Sequence, residues 1–207
     1  MVPIVFHTGK KEWRKNRELA ELIGGPEAFR KFAPIWRPMF LDLGGQTPAE
    51  LLQAAGEWLA ALAVVRADQD QSDAFDDVLQ KVLRRLEGLA ESDKSRWHDL
   101  IRFVLLWALY RRSPEDHAHL VESVRASQSN VARQTEVQTM GQTIAQSLIA
   151  EGRLEMAREF LRDLLEEKFS PLPESVLERI RSETDPTRLK AAGRRVRQIS
   201  SLDEFQI

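Results

Sequence analysis

The sequence opens with a short apolar segment that predicts a β-strand lacking neighbours. Residues 2–7 (VPIVFH) are mostly apolar, and a Gly-Lys-Lys turn follows them. Only one other segment, residues 39–43 (MFLDL), has the character of a strand. A two-stranded sheet is marginal in water, and a strand buried on both faces needs a neighbour on each side. We therefore expect further sheet to come from upstream residues or from a partner.

The residues between these two segments predict how the strands connect. Short helical patterns occupy residues 16–23 and 27–32, and prolines follow them. Strand, helical crossover and strand over about forty residues form a βαβ unit, in which the two strands run parallel. The first part of the chain is therefore predicted to be a fragment of an α/β sheet.

From Gly44 onward the chain is predicted to be helical. Residues 47–50 (TPAE) form a capping box with proline at the first helical position. Apolar residues then recur at helical spacing through residues 51–65, 75–89 and 97–109, and a fourth helix follows residues 113–116. The third helix is the most apolar, so we expect it at the centre of a bundle.

The composition changes at residues 126–139, where Ser, Gln, Asn and Thr dominate. We interpret this stretch as a linker or a weakly packed helix, and place a domain boundary there. Residues 1–125 then hold the βαβ fragment and the bundle, and residues 140–207 hold a long helix and a small helical C-terminal domain. Packing of the long helix, residues 140–169, on the last helices is the preferred interpretation; a homodimer seam is the alternative. The fold class is mostly α with a small α/β remnant.

The overall composition limits the partners and the compartment. The 207-residue chain has a net charge of −2, so no global attraction to DNA or membrane is implied. It has no cysteine, which excludes disulfides, thiolate metal sites and a cysteine nucleophile. No stretch of eighteen apolar residues occurs, and no signal peptide is recognisable. We expect a cytoplasmic protein with no membrane partner.

Neither the acidic run at residues 68–73 nor the histidine pair at residues 117 and 119 has the spacing of a metal site. Residues 68–73 (DQDQSD) begin like a calcium loop but lack its glycine and its final glutamate, so we predict a solvated loop in which Ser72 caps the next helix. His117 and His119 are two residues apart and point to different helix faces, unlike a zinc-binding pair. For His7, at the end of the first strand, we favour a hydrogen-bonded structural role.

A metal-dependent nuclease needs acidic residues on adjacent strands and a nearby lysine or glutamine. Asp42 lies on a predicted strand, but no Glu-x-Lys strand follows it. The triplet Glu166-Glu167-Lys168 lies in a charged helix. We therefore expect no catalytic residues and no cofactor in this chain.

The C-terminal region is locally basic. Such a face could contact DNA phosphates, and an ordinary solvated helix face is the alternative, because no aromatic residue is interleaved with the cations. The candidate phosphate contacts are Arg188, Lys190, Arg194, Arg195 and Arg197.

Several of these segments resemble one family. Residues 2–13 and 40–43 resemble the middle of the YhgA-like transposases, also called Rpn recombination-promoting nucleases. Residues 140–153 are similar to the helix that follows the family's core. Residues 169–205 look like a helical domain of unknown function that is often found at such C-termini.

The resemblance implies a PD-(D/E)XK nuclease ancestry and, in full-length relatives, Mg²⁺-dependent cleavage of DNA. The family's metal ligands lie upstream of the strand at residues 2–7, so none is carried over to a position here. The hypothesis is an N-terminally truncated or degenerate member without catalytic activity. The alternative is a non-enzymatic helical module that binds a protein partner.

Overall fold

The described part of the chain is mostly helical with one small two-stranded sheet, as the sequence predicts. The structure is a computed structural model that describes residues 4–9, 39–69 and 74–207. Its strands are β1 (Ile4–His7) and β2 (Met39–Asp42). Its α-helices are α1 (Pro48–Gln53), α2 (Glu57–Gln69), α3 (Phe75–Ser92), α4 (Lys94–Arg111), α5 (His117–Ala126), α6 (Val131–Phe169), α7 (Glu174–Ser182) and α8 (Pro186–Val196), and a 3₁₀ turn covers Leu202–Glu204.

The two strands pair in parallel. Ile4 lies opposite Met39, and His7 lies opposite Asp42. This confirms the predicted pairing, because parallel neighbours must be joined by a crossover. The crossover, with the helices predicted at residues 16–23 and 27–32, lies outside the described residues. Within the described part of the chain the sheet has two strands.

The helix predicted from residue 48 to residue 65 is two helices. The capping box forms as expected, since Glu50 N donates to Thr47 Oγ1 and Thr47 N donates to Glu50 Oε2. The chain then breaks at Gly56, whose φ of 104° lies in a region that side chains disfavour. The Arg85 guanidinium donates to the carbonyl oxygens of Leu52 and Ala54, which satisfies the end of α1.

Helix α4 is central to the first hydrophobic core, as predicted. Its apolar face is buried against α2, α3, α5 and the first half of α6. The buried residues of α4 are Trp97, Leu100, Ile101, Val104, Leu105, Ala108 and Leu109.

Helix α6 is longer than predicted and spans 39 residues. It begins directly after Asn130, whose side chain accepts hydrogen bonds from Ala132 N and Arg133 N. Residues 131–139 are therefore helical rather than an irregular linker, and Val137 is fully buried. The division into residues 1–125 and 140–207 stays a prediction.

A second hydrophobic core surrounds the C-terminal half of α6. Ala157, Leu161 and Leu165 are buried there against α7, α8 and the segment after α8. Lys168 Nζ donates to the carbonyl oxygens of Val196, Arg197 and Ile199, so it satisfies the C-terminal end of α8. The two cores share α6, which contributes residues up to Leu148 to the first and from Leu154 to the second.

Candidate functional site

A histidine and an aspartate meet at the end of the sheet. His7 Nδ1 lies 3.0 Å from Asp42 Oδ1, and Gly44 N donates to the same oxygen. The two side chains are largely buried, at 22% and 16% exposure. Gly9 lies against the other side of the ring, since a Cβ there would sit 2.5 Å from His7 Nε2. The geometry fits the structural role favoured for His7.

His117 and His119 point to different sides of α5, as predicted. His117 is buried and its Nε2 lies 2.9 Å from the carbonyl oxygen of Leu109, whereas His119 is exposed. Because a carbonyl oxygen only accepts, Nε2 of His117 carries the proton. Among the described residues, no group of three or more His, Asp or Glu side chains could hold a metal ion.

The prediction of a solvated loop at residues 68–73 is wrong for Asp68. This residue lies in α2 with only 3% of its side chain exposed, and it pairs with Arg111 and Arg112 at the end of α4. The pairing explains how a carboxylate can be buried at low cost. Residues 70–73, including Ser72, lie outside the described part of the chain.

The five cations predicted to contact DNA are all exposed, but the structure divides them. Lys190 and Arg194 of α8 and Arg197 directly after it recur every three or four residues and line the same groove against α6. Arg188 forms an ion pair with Glu183, with 2.9 Å between Nη1 and Oε2. Arg195 is not among the residues that line the groove between the two helices.

The groove between α6 and α8 has a volume of about 640 Å³ and an apolar floor. Met156, Phe160 and Leu164 follow one another every four residues along α6, so they lie in one row. Met156 is 72% exposed and Phe160 is 53% exposed. Contiguous exposed apolar side chains of this size are typical of binding surfaces.

A cationic rim borders this floor. It is formed by Arg153 of α6, by Lys190 and Arg194 of α8, and by Arg197 directly after α8. Across residues 4–9, 39–69 and 74–207, none of these four forms an ion pair within 4.0 Å, whereas Arg158, Arg162 and Arg181 of the same region do. The groove therefore combines an open apolar floor with positive charge that no carboxylate of the described chain neutralises.

Sequence reasoning missed Arg153, Met156 and Phe160. It judged the basic segment to lack aromatic neighbours, but Phe160 reaches it from another helix. A signal was available in the pattern of α6, where apolar residues at 156, 160 and 164 flank the buried row at 157, 161 and 165. This apolar stripe is wider than packing against a single neighbouring helix requires.

Comparison of the chain with protein-family models, with curated proteins and with solved structures finds no match. Among the described residues, no helix is both long and apolar enough to cross a bilayer.

Proposed function

We propose that this chain is a non-catalytic relative of the Rpn nucleases that acts by binding an anionic partner in the groove between α6 and α8. The observation that carries the proposal is a set of four cations that form no ion pair with any described carboxylate, beside an exposed apolar floor. Unpaired surface cations attract anions over about a Debye length, and the apolar floor adds contact area once the partner is bound.

The positive charge of the groove stands out because the surrounding region has almost no net charge. Acidic and basic side chains are nearly equal in number over residues 151–207. Four other arginines of this region pair with a neighbouring carboxylate, including Arg158 with Glu155 and Arg188 with Glu183. A partner attracted to this region is thus directed to the groove.

Two residues that a metal-dependent nuclease site would use, Asp42 and Lys168, are engaged in other contacts. Asp42 Oδ1 is bound by His7 and by Gly44 N, and the residue opposite it on β1 is that histidine rather than a second carboxylate. Lys168 of the Glu166-Glu167-Lys168 triplet is bound to the carbonyl end of α8. These contacts support a binding role in preference to Mg²⁺-dependent cleavage.

Heparin binding by the purified full chain tests the proposal with a generic polyanion. We compare the wild type with K190E/R194E, which reverses two charges of the cationic rim. The matched control is R84E/R102E, which makes the same charge change at two exposed arginines of α3 and α4 that do not line the groove. We expect K190E/R194E to weaken binding about tenfold or more at low salt, and the control to change it much less. Equal weakening by the two pairs, or an affinity that does not depend on salt, would overturn the proposal.

A plasmid-nicking assay tests the absence of catalysis. The full chain with Mg²⁺ is expected to leave supercoiled plasmid intact. Nicking that the Asp42→Asn variant abolishes would show that the chain is a nuclease and would contradict the proposal.

A further inference from the structure

We infer that the occupant of the groove is an acidic amphipathic helix of a protein partner. This inference rests on the proposed function and names the class of its ligand. We infer the helical shape of the occupant from the apolar floor, and its negative charge from the cationic rim.

The floor has the dimensions of a short helix. Met156 and Leu164 are eight residues apart on α6, which corresponds to about 12 Å along the helix axis. A docked helix of two to three turns presents apolar residues at positions i, i+3 or i+4, and i+7 over this distance. Ala157 and Gly193 line the groove with small side chains, which leave room for the anchors of the partner.

The cationic rim requires carboxylates on the partner. Lys190 and Arg194 of α8 and Arg197, which follows α8, lie on one border of the groove, and Arg153 lies on α6. A helix with Asp or Glu flanking its apolar stripe would pair with these cations while its apolar face covers Phe160. Partly desolvated pairs beside an apolar contact are stronger than exposed ones.

The floor suits a peptide better than a nucleic acid. Single strands bind through successive aromatic platforms, and Phe160 is the one aromatic ring among the residues that line the groove. The rest of the floor is formed by Met156, Ala157 and Leu164, which offer aliphatic contact rather than a surface for base stacking.

The inference is tested with labelled 16-residue peptides and the full chain, by fluorescence anisotropy. One peptide carries Leu at positions i, i+4, i+7 and i+11 with Glu at the flanking positions. A second has the same composition in an order without a helical apolar face, and a 15-nucleotide oligo-dT represents nucleic acid. We expect the amphipathic peptide to bind at least tenfold more tightly than the scrambled one, and more tightly than oligo-dT at equal salt.

Two protein variants locate the binding. F160A is expected to weaken the amphipathic peptide about tenfold, because one large apolar contact is lost. L106A, which truncates an apolar side chain of similar exposure on α4, is expected to leave binding unchanged. Sedimentation of the wild type and of F160A shows whether a second copy of this chain fills the groove.

Each contrary outcome identifies what fails. Equal binding of the two peptides, tighter binding of oligo-dT that F160A abolishes, or a dimer that F160A dissociates would each overturn the inference of an amphipathic helix. In those cases the proposed function still stands if heparin binding remains sensitive to K190E/R194E. If heparin binding is insensitive to that change, the proposed function itself fails.

Discussion

Arg112 Nη1 donates a hydrogen bond to Asp68 Oδ1 over 2.8 Å, which joins the C-terminal ends of α4 and α2. Arg111 Nε donates to the other carboxylate oxygen over 3.0 Å. The Arg112 guanidinium also lies 4.4 Å from the centre of the Phe75 ring, so the contact extends to the start of α3. One buried carboxylate thus links three helices of the first core.

Replacing Asp68 by alanine is expected to lower the free energy of unfolding by about 2–3 kcal/mol. The loss combines two charge-assisted hydrogen bonds with the cavity left by the side chain, while the two arginines are partly exposed and can be rehydrated. Chemical denaturation measures the change. Arg111→Ala leaves the bond from Arg112 in place, so it should cost about half as much. Equal losses from the two variants would show that Arg111 and Arg112 do not share the carboxylate.

Asp68 also shows where a sequence pattern stops being informative. A run of Asp and Gln normally indicates a solvent-exposed loop, which is what the sequence predicts at residues 68–73. The partners that bury Asp68 lie 43 and 44 residues further along the chain, and no local spacing connects them. Helical periodicity, by contrast, is a local property, and it correctly predicted α3 and α4 as well as the central position of α4.

Gly141 of α6 lies where that helix comes closest to α5. A Cβ at this position would sit 2.6 Å from Val121 Cγ2 and 2.7 Å from its Cγ1. Gly141→Ala is therefore expected to lower the free energy of unfolding by about 1–2 kcal/mol, because overpacking outweighs the gain in helix propensity. Denaturation of the single variant and of the double variant with Val121→Ala measures the conflict. We expect the double variant to lose less free energy of unfolding than the sum of the two single losses. If the two losses simply add, the clash lies elsewhere.

Gly193 of α8 is the opposite case to Gly141, because a methyl group fits at this position. A Cβ there would lie 3.5 Å from Leu164 Cδ1 and from Phe160 Cε1, which is ordinary van der Waals contact. Gly193→Ala should therefore raise the free energy of unfolding by about 0.5–1 kcal/mol, since alanine is the better helix former. Thermal unfolding measures the shift. A lower midpoint would mean that α6 and α8 are packed too closely for a methyl group.

The groove beside Gly193 could not be deduced from the sequence, for the same physical reason as the Asp68 contact. Three of its four cations lie about thirty residues further along the chain than its apolar floor, and only tertiary packing brings Phe160 to Arg194. The break at Gly56 was missed because the apolar spacing continues across it, whereas the conformation is set by one positive φ. The parallel pairing of β1 and β2 was predictable, because a crossover of that length leaves few other arrangements.

Glu87 of α3 holds the connection between α5 and α6. Hydrogen bonds from the Ser129 side chain and then from its backbone N–H lower the pKa of the Glu87 carboxyl from the ordinary 4.5, and the nearby Arg133 lowers that pKa further. The N–H donates to Oε1 over 2.5 Å. Because the pKa is lower in the folded state, this contact contributes stability above the unfolded-state pKa, and the contribution is lost as the pH falls through the folded-state pKa.

Acidification should therefore weaken the wild type more than Glu87→Gln, which cannot ionise. We expect the free energy of unfolding to fall less for Glu87→Gln than for the wild type between about pH 6 and about pH 3, as measured by urea denaturation. Ser129→Ala removes the side-chain hydrogen bond that does most to lower the pKa of Glu87. An NMR titration of the Glu87 carboxyl carbon should therefore show its pKa moving back toward 4.5. Parallel acid profiles for the wild type and Glu87→Gln, or an unchanged titration in Ser129→Ala, would mean that Ser129 does not hold the carboxylate in solution.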